Sequence, residues 1–320
     1  ILVTDTKGEV VFSNEQLAII LNLNELANKN IKELDIPALN YLFKRVENKK
    51  RADIEFEIEL SDKSTKWVLG SMNQSKTTGE YILVVHDITQ LRQLNSMRRD
   101  FISNLSHELR TPVSVIRANS ETLLDGALES KKDAKVFAKA ILHNSERLSD
   151  MVTDLIDLSR IEYGDLKLNI KKIDLKTFID EFTLSIESLT KKKDIEIINK
   201  SNHEEFIKAD LQALERIMNN LVDNALKYSE KGSSIVISTI KENQHIKIMI
   251  SDNGIGISDE DKNHIFDRFY RTASARASDK QGSGLGLAIV KNLTNSLNGE
   301  VGVDSKDSNG SIFWFTLPIS

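Results

Sequence analysis

Ile88, Leu91, Leu94, Met97, Phe101, Leu105 and Leu109 recur at three- and four-residue steps, the spacing of a helix with one apolar stripe and of a coiled-coil seam. The stripe predicts one helix over 88–124, broken by Asp125-Gly126. A second seam, Phe137, Ile141, Leu148, Met151, Leu155 and Leu158, predicts a helix over about 132–161 with Gly164 as its stop. Two long amphipathic helices joined by a short loop make a hairpin with too little partner surface of its own. Burying both seams takes a second copy and a four-helix bundle, so a homodimer is expected.

The flanks have other periods. Residues 1–5 and 10–12 read as a hairpin around a turn at 6–9, followed by a helix from Ser13-Asn14-Glu15 and strands at 54–60, 66–71 and 81–85. The last of these runs through Asp87-Ile88-Thr89 straight into the seam helix, so a shift in this module can rotate or bend that helix, with Pro112 as a hinge. From about 170 the pattern is mixed: helices at 175–191 and 210–228, strands at 235–239, 246–251, 302–304 and 312–317. Alternation at Ile246, Ile248 and Ile250 indicates a sheet with one covered face. A chain of 320 residues accommodates two or three such domains.

Composition excludes several classes. A net charge of −5 without a basic block gives no support for nucleic-acid binding. The absence of cysteine excludes disulfides, thiolate metal sites and cysteinyl cofactor adducts. The longest apolar runs, 81–85 and 17–23, fall well short of the roughly 18 residues a membrane helix needs. No membrane segment is therefore expected within these residues. The start at Ile1, directly in strand-like sequence, leads us to expect a piece of a longer chain.

His107 stands out on the first long helix. At about 100° per residue, Phe101, Ile102, Leu105 and Leu109 gather on one side and His107 lies nearly opposite. Glu108 is beside it, and Thr111 shares its face one turn later. Pro112 cannot donate to the carbonyl of Glu108 and is expected to kink the helix. On this geometry alone, an exposed histidine without a role fits equally well.

Further constellations lie downstream. On the 210–228 helix, Asn220, Asn224 and Lys227 fall in a stripe about 60° wide, away from the apolar face of Leu214, Ile217, Met218, Leu221, Val222 and Ala225. Amide oxygens ligate Mg²⁺ and an ammonium neutralises phosphate, although polar residues also simply cover exposed helix faces. Asp252-Asn253-Gly254-Ile255-Gly256 closes a strand with a carboxylate able to accept from an exocyclic amine, yet is by itself a common turn. Gly282-Ser283-Gly284-Leu285-Gly286 leads into an apolar helix, where free N–H groups and the helix dipole hold phosphate. No strand directly precedes it, unlike the dinucleotide fingerprint. Between them lie Phe266, Phe269, Tyr270 and Arg271, then a polar stretch over 272–281 that reads as a mobile lid or as a loop beside core aromatics.

In order and spacing these segments resemble the signatures of sensor histidine kinases: an H box at His107, an N box over 220–228, a G1 box over 252–256, an F box over 266–270 and a G2 box over 282–286. The resemblance covers about 88–320, and residues 1–89 look like a PAS sensor domain. It implies a multidomain α+β chain: a PAS-like α/β sensor over 1–89, a coiled-coil linker with an antiparallel helical hairpin forming a dimeric four-helix bundle over 90–165, and an α/β sandwich ATP-binding domain of the Bergerat type over 166–320. Carried over, His107 resembles the phosphoacceptor, Glu108 the carboxylate that takes the imidazole proton, and Thr111 the hydroxyl that supports removal of phosphate from the partner. Asn224 resembles the Mg²⁺ ligand, with Asn220, Lys227 and Tyr228 around the phosphates of ATP. Asp252 would read adenine, Gly254 and Gly256 shape that pocket, Gly282, Gly284, Leu285 and Gly286 form the lid hinge and phosphate loop, and Arg271 reaches the γ-phosphate.

The implied activity is ATP-dependent autophosphorylation followed by transfer to an aspartate of a response-regulator receiver domain, in the cytoplasmic portion of a membrane-anchored sensor. Two rivals are weighed against it. ATP-hydrolysing machines of the gyrase and chaperone type carry a water-activating glutamate four residues before the metal-binding asparagine, where this chain has Asn220. An ATP-binding pseudokinase module would leave polar positions vacant that are filled here. For the PAS-like module, the lack of cysteine argues against a flavin adduct and His86 at a strand end against haem, which leaves a small-molecule or partner sensor or a dimer brace.

Overall fold

β1 (Leu2–Thr4) and β2 (Val10–Ser13) pair as the expected hairpin. They belong to a computed structural model that describes residues 1–23, 26, 29–60, 63–162, 165–201, 205–277, 282–305 and 310–320. Gly164 and the end of the 272–281 stretch, from 278 on, lie outside the described residues. The chain forms two compact units, Ile1–Ile102 and Ser103–Ser320.

In the first unit, α1 (Glu15–Leu21) follows Asn14 and ends where Asn22 turns left-handed. α2 (Pro37–Lys49) begins with proline in its first turn, where a missing N–H costs nothing. β3 (Arg51–Glu59), β4 (Thr65–Gln74) and β5 (Tyr81–Asp87) complete an antiparallel sheet of order β2-β1-β5-β4-β3. Leu39, Leu42, Phe43 and Val46 bring α2 into a core with Leu17, Leu21, Met72 and Leu83. The sequence-based reading lacked α2, although Pro37 and this stripe mark it.

β5 passes directly into α3 (Thr89–Leu124). The Asp87 carboxylate accepts from the Thr89 hydroxyl (2.6 Å) and N–H (3.0 Å), and the Trp67 N–H donates to the same hydroxyl (3.0 Å). The hydroxyl bond, then the N–H bond, hold the Asp87 carboxyl below the usual carboxylate range. α3 stays helical through the buried Pro112, and the Thr111 hydroxyl donates to the carbonyl of His107 (3.3 Å).

α4 (Lys131–Glu162) returns with Met151 and Leu158 fully buried and Phe137, Ile141, Leu148 and Leu155 half-buried. The opening of the α3 seam is different: Leu94 is 64% and Met97 66% exposed in the single chain.

The rest of the second unit is an α/β sandwich. In order it has β6 (Lys171–Asp174), α5 (Leu175–Lys193), β7 (Glu196–Lys200), β8 (Phe206–Ala209), α6 (Leu211–Tyr228), β9 (Ser234–Glu242) and β10 (His245–Ser251). α7 (Asp259–Lys262), α8 (Ala273–Ala277), α9 (Gly286–Ser296), β11 (Val301–Ser305) and β12 (Ser311–Pro318) follow. The main sheet runs β11-β12-β10-β9-β7, with β7 parallel to β9 and the other pairs antiparallel; β6 and β8 pair separately. Ile246, Ile248 and Ile250 point into the core with Ile235, Ile237, Phe315 and Leu317, under α5, α6 and α9. Aspartates start the first two of these helices: Asp174 accepts from the Thr177 N–H (3.1 Å) and Asp210 from the Ala213 N–H (2.9 Å). The short strands β6, β7 and β8 were not expected from the sequence; each offers too few residues to show alternation.

Candidate active site

Eight apolar residues of α6 are buried, which turns Asn220, Asn224 and Lys227 to the opposite side. There they line a cavity of about 830 Å³ together with Tyr228, Asp252, Gly256, Arg271, Gly282, Gly284 and Gly286. Most of the residues singled out for nucleotide binding therefore meet on one wall system, although the chain brings them from positions 220 to 286.

Each is held locally. The Asn220 amide donates to the carbonyl of Arg216 (2.8 Å), and its oxygen faces α9 at Gly286. Lys227 pairs with Asp223 one turn earlier (3.4 Å). Asp252, 3% exposed at the end of β10, accepts through Oδ1 from the N–H groups of Gly254 (2.8 Å) and Ser311 (3.1 Å). Gly254 thus lies beneath Asp252 rather than on the cavity wall. The Phe269 N–H donates to the Gly284 carbonyl (2.9 Å), strapping the aromatic segment to the glycine loop. At Gly284 φ is +71° and a Cβ would stand 2.7 Å from the Phe269 Cα, so only glycine fits this crossing. The Tyr270 hydroxyl donates to Asp261 (2.6 Å). This bond pushes the Tyr270 phenol up; the Ser258 and Tyr270 hydroxyls together pull the Asp261 carboxyl down. The Arg271 guanidinium donates to the Ala275 carbonyl (2.6 Å) within its own loop. Leu285 differs from its neighbours: its side chain is fully buried in the core, and it contributes backbone ahead of α9.

His107, Glu108 and Thr111 lie on α3, outside the cavity wall. His107 and Thr111 are exposed, as the periodicity of the helix implies. The far side of the cavity is formed by α4, through His143, Glu146, Arg147, Asp150 and Asp154. Three groups at this boundary were not singled out from sequence. Arg147 pairs with Glu108 (3.0 Å). Arg216 of α6 pairs with Asp154 and, at 3.5 Å, with Asp157. Gly310 and Ser311 back the Asp252 carboxylate. No local spacing connects any of these pairs, so sequence periodicity carried no signal for them.

The donor set suits a nucleotide and a hard cation. A buried carboxylate meets an amine, an ammonium and a glycine loop meet phosphates, and Asn224 offers an amide oxygen. Among the described residues no three His, Asp or Glu side chains gather as a metal site. Asn224 could offer such an ion one amide oxygen beside phosphate oxygens and water.

Comparison with known proteins agrees with this geometry. Residues 97–164 match the family model of the His Kinase A (phospho-acceptor) domain, and residues 209–320 that of the histidine kinase-, DNA gyrase B-, and HSP90-like ATPase. The sensor-like histidine kinase SenX3 of Mycobacterium tuberculosis is 32% identical over 99% of this chain and 76% of its own length. The chain belongs to the sensor histidine kinase family. The sensor histidine kinase WalK of Bacillus subtilis is 30% identical over 99% of this chain and 53% of its own, so the present chain spans about half of that relative. Among solved structures, the histidine kinase ShkA in complex with AMPPNP is similar at 25% identity and a TM-score of 0.52, covering 69% of this chain and 46% of that one. As a sensor histidine kinase, the chain carries His107 and Glu108 in its phospho-acceptor segment and the α6 stripe and glycine loop in its ATPase segment. Among the described residues no helix is long and apolar enough to cross a membrane.

Proposed function

We propose that this sensor histidine kinase binds ATP with Mg²⁺, moves the γ-phosphoryl group to His107 and passes it to an aspartate of a response-regulator receiver domain. It works as a homodimer and also removes phosphate from that partner, in the cytoplasm where ATP and receivers are found. Residues 1–89 act as a PAS-like sensor, 90–165 as linker and phosphoacceptor hairpin, and 166–320 as the ATP-binding domain.

One observation carries this reading: the cavity that gathers Asn224, Lys227, Asp252 and the glycine loop belongs to the same compact unit as an exposed imidazole. Asn220 occupies the place of a water-activating glutamate and is tied to the carbonyl of Arg216, which disfavours the gyrase-type reading. Neutral imidazole is a nucleophile near pH 7, and a carboxylate on its second nitrogen fixes the tautomer and takes the proton. Mg²⁺, when bound, neutralises phosphate charge; Lys227 and Arg271 add to that, and Asp252 orients the base. Because His107 is not at the cavity wall, transfer needs the ATP-binding layer to shift along the hairpin. We read Thr111, exposed on the His107 face one turn away, as the hydroxyl that supports removal of phosphate from the partner.

Incubation with γ-labelled ATP tests the assignment. The wild-type chain is expected to acquire an acid-labile, alkali-stable label that His107→Ala loses completely. Retention of the label in that variant would refute His107 as acceptor.

A further inference from the structure

Arg147 has two attachments that no family signature used above assigns to it. Its guanidinium donates to Glu108 Oε2 at 3.0 Å across the hairpin, with side chains only 19% and 29% exposed. The same residue stands in the wall of the nucleotide cavity, on the α4 side facing Lys227 and Asn224. It thus touches the carboxylate beside His107 and the space from which a phosphoryl group would come.

We infer that Arg147 is a positioning residue for phosphorylation of His107, acting through Glu108. This rests on the proposed reading of His107 as phosphoacceptor and Glu108 as proton acceptor. A glutamate on a helix surface samples several rotamers, and an acceptor in the wrong one cannot meet an imidazole N–H. Held through Oε2, the carboxylate would present Oε1 to the ring.

In the transfer step, one ring nitrogen of His107 bonds to the γ-phosphorus. The bond from phosphorus to the bridging oxygen breaks, with its electron pair leaving on ADP. The proton on the other ring nitrogen passes to Glu108. That proton neutralises the carboxylate and ends the ion pair, so the planar fork of Arg147 has finished positioning Glu108 by the time the phosphoryl group is on the ring. A lysine offers the charge but not the fork.

A double-mutant cycle on the whole chain tests this, with His107→Ala as control. The readouts are the single-turnover labelling rate at saturating ATP, affinity for a fluorescent ATP analogue, and the melting midpoint. Glu108→Gln is expected to slow labelling by about 100-fold or more, and Arg147→Gln by about 10-fold, with analogue affinity unchanged. The double variant is expected to be no slower than Glu108→Gln alone. Arg147→Lys is expected to melt like the wild type and to label at an intermediate rate. Four results would overturn the inference: a full 10-fold effect of Arg147→Gln in the Glu108→Gln background, a wild-type rate in Arg147→Gln, a loss of analogue affinity that accounts for the slowing, or a Lys variant no faster than Gln. A silent Glu108→Gln with His107 still labelled would overturn it too while leaving His107 as acceptor. A label that survives in His107→Ala would instead defeat the parent reading.

Discussion

Gly310 sits at φ +116° with its ideal Cβ only 2.3 Å from the carbonyl oxygen of Asp252, so any side chain there displaces the backbone that carries the buried carboxylate. Gly310→Ala is expected to destabilise the second unit by about 2 kcal/mol and to weaken ATP binding measurably, since Ser311, the next residue, donates to the same carboxylate. Melting and titration of a fluorescent nucleotide would check both; unchanged binding would mean that Asp252 is held by Gly254 alone. The contrast with Gly284 explains what sequence could show at this scale. Gly282, Gly284 and Gly286 announce a loop because they are neighbours, whereas Gly310 acts on a carboxylate 58 positions earlier in a different strand. The exposure of His107 was legible from local pattern, and the choice of Asn224 and Asp252, which meet at one cavity, from pattern and family resemblance together. Arg147 was not, because its partner Glu108 lies 39 residues away on another helix.

Among elements, the two seam helices and α6 were readable because one apolar face repeated over many turns leaves little alternative packing. The polar joint between α4 and α6 was not. Arg216 inserts between Asp154 and Asp157, and burial pushes the Asp154 carboxyl above the usual range despite the pull of that guanidinium, with Asp157 and Asp150 adding to the rise. A carboxyl raised by folding holds its proton more readily in the fold than in the unfolded chain. Its contribution to stability is therefore greatest below the ordinary value of 3.8 and declines as pH rises through the raised one. Asp154→Asn is expected to abolish that decline and to melt no lower than the wild type at about pH 7. Calorimetry across the acid-to-neutral range would show it, and a midpoint several degrees lower at neutral pH would contradict the balance described. α2 is a different case: Leu39, Leu42, Phe43 and Val46 formed a legible stripe, but in a helix of only 13 residues lodged between another helix signal and a strand signal.

Across the whole molecule, the seam that most constrained the fold is also the surface the single chain leaves uncovered, with Leu91, Leu94 and Met97 exposed at the start of α3. Leu94→Asp combined with Met97→Asp is expected to convert a dimer to monomer in sedimentation velocity while each chain keeps its helical content; an unchanged dimer would place the association elsewhere. The helical hairpin came from periodicity, the α/β sandwich from the family resemblance, and the family from motif order. The position of the nucleotide cavity against α4 and away from His107 could not be read, since it depends on contacts such as Arg216 to Asp154 between elements distant in sequence. The chemistry turns on where the phosphoryl group goes. The direct measurement follows γ-labelled ATP in a rapid-quench time course and partitions the label between His107, located by peptide mapping, and inorganic phosphate. The expected result is label on His107 that appears before and in excess of free phosphate and depends on Asn224 and Asp252. Sustained phosphate release with no label on His107 would contradict it.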